Sequence, residues 1–166
     1  SCIFIILSMD HLITDFFNAI RAGDKEEVAR FLAETPDLLQ AVDSRGSSAL
    51  ILATYYDHLP MAKWLLEKGA TVNFTDASGN TALMGVCFKG SVPLVQLLIL
   101  HGADVNVVNS MGGTPLIYAS TFQRTEIVKI LLVHNAHKGA KDKEGKSALD
   151  HAKINGFTEL IQLLVD

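Results

Sequence analysis

Asn109-Ser-Met-Gly-Gly-Thr-Pro-Leu-Ile-Tyr-Ala119 is the stretch that decides the fold, because the chain writes it four times. The other copies are Asp43-Ser-Arg-Gly-Ser-Ser-Ala-Leu-Ile-Leu-Ala53, Asp76-Ala-Ser-Gly-Asn-Thr-Ala-Leu-Met-Gly-Val86 and Asp142-Lys-Glu-Gly-Lys-Ser-Ala-Leu-Asp-His-Ala152. They start at residues 43, 76, 109 and 142, a constant interval of 33. A fixed period of this length marks a stacked array, in which each unit buries its apolar face only against its neighbours. Such arrays offer a long surface to a partner and few places for concentrated chemistry.

Each copy carries its own structural instructions. The opening Asp-x-x-Gly sets a turn, with Gly46, Gly79, Gly112 and Gly145 where positive φ is needed. Ser48, Thr81, Thr114 and Ser147 follow two residues later, where a hydroxyl accepts from an orphaned amide at a helix start. Pro115 suits the first position of that helix. Leu50, Leu83, Leu116 and Leu149 then face inward, and small Ala53, Val86, Ala119 and Ala152 let the next helix come close.

A second helix follows in each unit, with copies at Met61–Leu66, Leu94–Ile99, Ile127–Leu132 and Leu160–Val165. Apolar residues at i, i+3 and i+4 make a helical stripe. The recurrence of Val28, Met61, Leu94, Ile127 and Leu160 predicts second helices near 25–34, 59–67, 92–100, 125–133 and 158–165. On this reading Leu97 is a core residue, as is Trp64 at the equivalent place. Gly69, Gly102 and Asn135 end three of the second helices. Thr71–Asn73 and Asp104–Asn106 lead back to the next turn as short extended segments.

These residues resemble the ankyrin repeat. Its Thr-Pro-Leu-His-x-Ala phrase stands as Thr114-Pro-Leu-Ile-Tyr-Ala119, with degenerate copies at 48–53, 81–86 and 147–152. Its Gly-Ala-Asp-Val-Asn phrase is intact at Gly102–Asn106 and recurs as Gly69-Ala-Thr-Val-Asn73. A divergent fifth unit precedes them, from Phe16-Phe-Asn-Ala-Ile-Arg-Ala-Gly23 through Thr35-Pro-Asp-Leu-Leu-Gln40. The resemblance implies an all-α solenoid of stacked helix-turn-helix units with short projecting β-turns. We expect a single domain over 10–166, divided as 10–42 (cap), 43–75, 76–108, 109–141 and 142–166 (cap). Polar Asp150, His151 and Lys153 suit the solvent-facing end of a stack.

Composition agrees. Hydrophobic residues make up 49% and charged residues 19%, enough for a continuous core. A net charge of −4 argues against nucleic acid as a partner, since phosphate contacts need a basic face. The two cysteines, Cys2 and Cys87, give no disulfide framework and suit a reducing, cytoplasmic compartment. The apolar start, Cys2–Leu7, is far shorter than a membrane span. Three readings of it stand: Met9 is a natural start with 1–8 lying upstream of it, the segment is a truncated secretory signal, or it folds over the first unit. Exposed, it would support self-association through residues 3–7 of an otherwise monomeric protein.

A search for chemistry returns no catalytic, cofactor or metal site. Gly112-Gly113-Thr114 lacks the lysine of a phosphate loop. The six histidines lack ligand spacing, and His101 and His134 simply repeat one surface position. His58 is expected to cap the second helix of its unit. Cys87 shares the small-residue slot of Thr54 and Ser120 and reads as a buried, inert thiol. The lysines at 138, 141, 143 and 146 are interrupted by Asp142 and Glu144, as in a solvated turn.

What remains are residues that do not build the repeat. At the end of each first helix stand Arg21/Ala22, Tyr55/Tyr56, Phe88/Lys89, Thr121/Phe122 and Ile154/Asn155. Four of these are aromatic, against 7% of the chain, and they fall in three consecutive units. The turn tips add Ser44, Arg45, Ser47, Ala77, Ser78, Asn80, Ser110, Met111, Gly113, Lys143, Glu144 and Lys146. The resemblance implies that such positions vary with the partner. The expected partner-binding set is Arg21, Arg45, Tyr55, Tyr56, Asn80, Phe88, Lys89, Met111 and Phe122, on a concave face gripping a protein or peptide. The competing reading has the rings leaning into the gap between units as packing. Two other functions compete: inhibition or regulation of an enzyme through the same surface and, more remotely, a small-ligand or metal enzyme domain.

Overall fold

A computed structural model describes residues 2–165. Among them are ten α-helices in five hairpins. The first hairpin is α1 (Cys2–Ala22) with α2 (Lys25–Glu34), and the second α3 (Ala49–Tyr55) with α4 (Leu59–Glu67). Then come α5 (Ala82–Lys89) with α6 (Val92–Leu100), α7 (Pro115–Thr121) with α8 (Thr125–Val133), and α9 (Ala148–Asn155) with α10 (Thr158–Leu164). The hairpins stack in sequence order. First helices pack on first helices from α1 through α9, and α4, α6, α8 and α10 form a second layer. The first-helix layer is the more closely packed, because Ala53, Val86, Ala119 and Ala152 are fully buried within it. Unequal spacing of two layers curves a stack toward the tighter one, which places the first helices on the concave side.

The local instructions are carried out as written. Ser48, Thr81, Thr114 and Ser147 each accept from the amide three residues on. Asp43 Oδ1 accepts from the amides of Arg45 and Ser47, both at 2.9 Å, which closes the turn. Gly46 has φ 76°, and a Cβ there would stand 2.8 Å from the Ala77 amide nitrogen. That close approach is needed, because adjacent turns are joined by backbone bonds from Ala77 to Arg45, Ser110 to Ser78 and Lys143 to Met111. Val28, Met61, Leu94, Ile127 and Leu160 are all buried in one continuous core.

Several expectations need correction. Leu97 is only partly buried, while Leu94, Val95 and Leu98 are fully buried: α6 turns its Leu94/Leu98 edge inward. Leu149, in the last of the described units, is likewise partly buried. Trp64 also packs at the core's margin, with Lys25 and Lys68 over its ring at 5.9 and 5.7 Å. Thr71–Asn73 and Asp104–Asn106 are turns and not extended segments. Their asparagines stitch successive units together: Asn73 donates to Gly102 O and accepts from the Asp104 amide, and Asn106 does the same with Asn135 and His137.

His58 occupies the N-cap of α4 but makes no side-chain cap. Its ring turns back to the preceding unit, with Nε2 2.8 Å from Arg21 O. Arg124 clamps the Phe88 carbonyl in the same way, with Nη2 at 2.9 Å. The apolar start does not fold over the first unit. It continues α1 as helix, and Ile3, Ile5, Ile6 and Leu7 are more than half exposed because nothing in the stack lies beside them. No helix among the described residues is long and apolar enough to cross a membrane.

Candidate functional site

The concave face carries one substantial groove, of about 480 Å³. Ile51 and Leu52 of α3 and Met84 and Gly85 of α5 form its floor. The turn side supplies Arg45, Asp76 and Asn80, and the far ends of the first helices supply Tyr55, Tyr56 and Phe88. Arg21 and Asp43 border it from the first units, and Tyr118 from the fourth. Turn tips lie at the N-termini of the first helices and the rings at their C-termini, about 10 Å away at 1.5 Å per residue.

The structure thus brings together six of the nine residues singled out in the sequence: Arg21, Arg45, Tyr55, Tyr56, Asn80 and Phe88. Lys89, Met111 and Phe122 do not line the groove. Met111 projects from its turn, 62% exposed. Lys89 lies with Nζ 4.7 Å over the Tyr55 ring, and Phe122 meets Phe88 edge to face at 4.7 Å. Both contacts join the end of one first helix to the end of the next. Tyr55 and Tyr56 form a second edge-on pair at 5.5 Å. The four rings are 38–44% exposed. Tyr55, Phe88 and Phe122 are therefore both inter-unit packing and surface, while Tyr56 pairs within its own unit; each is more than half covered, yet each keeps an open portion. Ser47 and Gly113, placed among the turn tips by sequence, are buried beneath them.

Electrostatics in the groove is nearly balanced. Arg21 Nη2 pairs with Asp43 Oδ2 at 3.1 Å, with the Asp43 side chain only 7% exposed. Arg45 and Asp76 then remain, one of each sign. Sequence reasoning missed Tyr118, Met84 and Gly85. Tyr118 is the x of the Thr-Pro-Leu-His-x-Ala phrase; its hydroxyl accepts from Asn109 Nδ2 at 2.7 Å, and Asn109 also donates to Asn80 Oδ1 at 2.8 Å. The same place is Gly85 in the preceding unit and His151 in the last, so the signal lay in the aligned copies.

Cys87 is fully buried, and burial pushes its thiol well above the usual range. At the stack's end, His151 Nε2 lies 2.7 Å from Asp142 Oδ2. Burial opposes the charge on Asp142, but bonds from His151 and the Lys146 and Glu144 amides outweigh it and hold the carboxyl below its usual range. Asp150 is held low by the Ser147 amide and hydroxyl in a capping box. The polar residues of the last unit thus serve its own turn and helix start. Lys146 is paired with Glu144 at 2.8 Å.

The family model for ankyrin repeats matches this chain in three copies, over residues 13–76 and 83–166. A search of curated proteins gives no significant match. Repeat phrase, stacked hairpins and family match agree: the chain belongs to the ankyrin-repeat family, whose members are generally protein–protein interaction modules.

Proposed function

We propose that this protein is a non-catalytic module that holds a protein or extended peptide partner in the groove between its turn tips and the ends of its first helices. One observation carries the reading: six of the nine positions singled out in the sequence converge with Tyr118, from four units, on a single groove with an aromatic side and a polar side. Aromatic rings with part of their surface open are suited to anchor a partner, and the turn-side polar groups to fix its register. Burying the open portions of Tyr55, Tyr56 and Phe88 removes roughly 250 Å² from water, about 6 kcal/mol gross. Association costs about 4–15 kcal/mol, so the turn contacts must add to what the rings supply. The domain runs over 10–166, with 10–42 and 142–166 as caps. Residues 3–7 are a second, weaker contact through which copies self-associate.

Selection of binders from a random peptide library displayed on phage tests the reading. Peptides enriched on the wild type should lose about tenfold or more in affinity on Tyr55→Ala/Tyr56→Ala/Phe88→Ala. Because those rings also pack between units, Arg45→Glu on the turn side provides a second arm with an intact stack. Selected peptides that bind both variants as tightly as the wild type would overturn the groove as the site.

A further inference from the structure

Four turns share one design, and one of them lacks a component. Each turn Asx uses Oδ1 to accept two backbone amides, as Asp76 does from Ser78 and Asn80 at 2.9 Å. The other terminal atom is left for a further partner. Asp43 gives it to Arg21 at 3.1 Å, Asn109 to Tyr118 at 2.7 Å and Asp142 to His151 at 2.7 Å. In the last two cases the partner stands nine residues downstream, on the first helix. The residue in that place for Asp76 is Gly85. Asp76 Oδ2 has only a 3.4 Å contact from Asn80 Nδ2, and no cation among the described residues is within ion-pair distance of it.

Backbone geometry does not require this glycine. It lies inside α5 without a positive φ, and a Cβ there would meet only Tyr55 Cδ2, at an ordinary 3.8 Å. A helix-interior glycine with room for a side chain gives up helix stability for no packing gain. What it leaves is a notch in the groove floor, with the Asp76 carboxylate at the turn side and Tyr55 and Tyr118 along the border.

We propose that the notch receives an arginine side chain of the partner, its guanidinium paired with the Asp76 carboxylate. This rests on the groove being the partner site. Charge complementarity selects a cation, since Asp43 is already neutralised by Arg21 and Asp76 is not. A guanidinium presents parallel N–H groups to a carboxylate and lays a flat face on neighbouring rings. Lys89 already sits over the Tyr55 ring, so dispersed charge is better tolerated beside it than a compact second ammonium.

The probe is the blocked tripeptide acetyl-Gly-Arg-Gly-amide, followed by amide chemical shifts of the intact chain, with lysine and citrulline versions alongside. The arginine peptide should saturate in the millimolar range with shifts centred on Ser78, Asn80 and Gly85, and the citrulline peptide should not bind. Asp76→Asn should weaken the arginine peptide roughly tenfold; Asn109 performs the same turn role, so the turn survives the change. Gly85→Tyr, which supplies the ring that Tyr118 supplies to the next turn, should abolish binding. Equal binding of the lysine or citrulline peptide, an unchanged affinity in Asp76→Asn, or no saturable shift would overturn the assignment. Library peptides that dock in the groove with no arginine at the notch would overturn it too, while leaving the groove reading intact. Loss of the groove reading would show instead as binders indifferent to Arg45 and the rings.

Discussion

The units that begin at Asp76 and Asp142 follow the same phrase and end differently. Both open on an Asp-x-x-Gly turn, both cap a first helix with a hydroxyl, and both bury a small residue at its middle. In the last unit the ninth residue after the turn aspartate is His151, which closes onto Asp142. In the central unit it is Gly85, and the groove opens there. The same scaffold position thus either completes the fold from within or leaves a surface for another molecule. Identical local instructions fix the backbone, and one side chain decides between closure and opening.

The largest expected effect separates the two units by their neighbours. Leu98 and Leu164 are equivalent and both buried, but among the described residues Leu98 has a unit on each side and Leu164 on one only. Leu98→Ala should cost about 2–5 kcal/mol in urea unfolding, and Leu164→Ala should sit at the low end, about 2 kcal/mol. Equal losses would mean that burial within a unit, and not stacking, sets stability. Leu97→Ala, half-buried, should cost less than about 2 kcal/mol.

Acid should then distinguish the units. The carboxyls of Asp142 and Asp150 lie below their usual range in the folded protein. Their contribution is complete above about pH 4, the usual carboxylate value, and is lost as pH falls through the lower folded values. Native-state hydrogen exchange should show α9 and α10 losing protection before α5 and α6 as pH drops below about 4. Simultaneous loss would remove the aspartates of the last turn as the cause.

Smaller effects test the ninth position itself. His151→Gly, which opens the last unit as the central one is open, should lower stability by about 1–2 kcal/mol. Gly85→Ala should raise it by about 0.5–1 kcal/mol, read as a higher melting temperature, because a Cβ fits there. A destabilised Gly85→Ala would show that the glycine is a packing requirement.

Much of this was legible in the sequence because its causes are local. The turn at Asp43–Gly46 and the cap at Ser48 need only residues within a few positions of each other, and the period aligned them. The Leu97 error has a physical source: Val92–Leu100 is apolar almost all round, so periodicity gives no unique inward edge. Long-range placements were not legible. From sequence His58 reads as a cap, because its partner, Arg21 O, lies 37 residues away in the preceding unit. The rings stand out in the sequence as departures from the repeat phrase. Their division into two edge-on pairs and a cation contact, with Phe122 and Lys89 off the groove, depends on how neighbouring helix ends meet. Gly85 was visible as a departure from its copies, but a missing side chain becomes a site only beside Asp76.

The central claim is that positions free of framework duty on the concave face carry the binding. Amide shift mapping of the intact chain with a library-selected peptide tests it most directly. Shifts should cluster on Arg45, Asp76, Gly85 and Phe88 and leave the outer helices unmoved. Shifts centred instead on Leu100 and Val133, which are 80% and 77% exposed at the ends of α6 and α8, would contradict it.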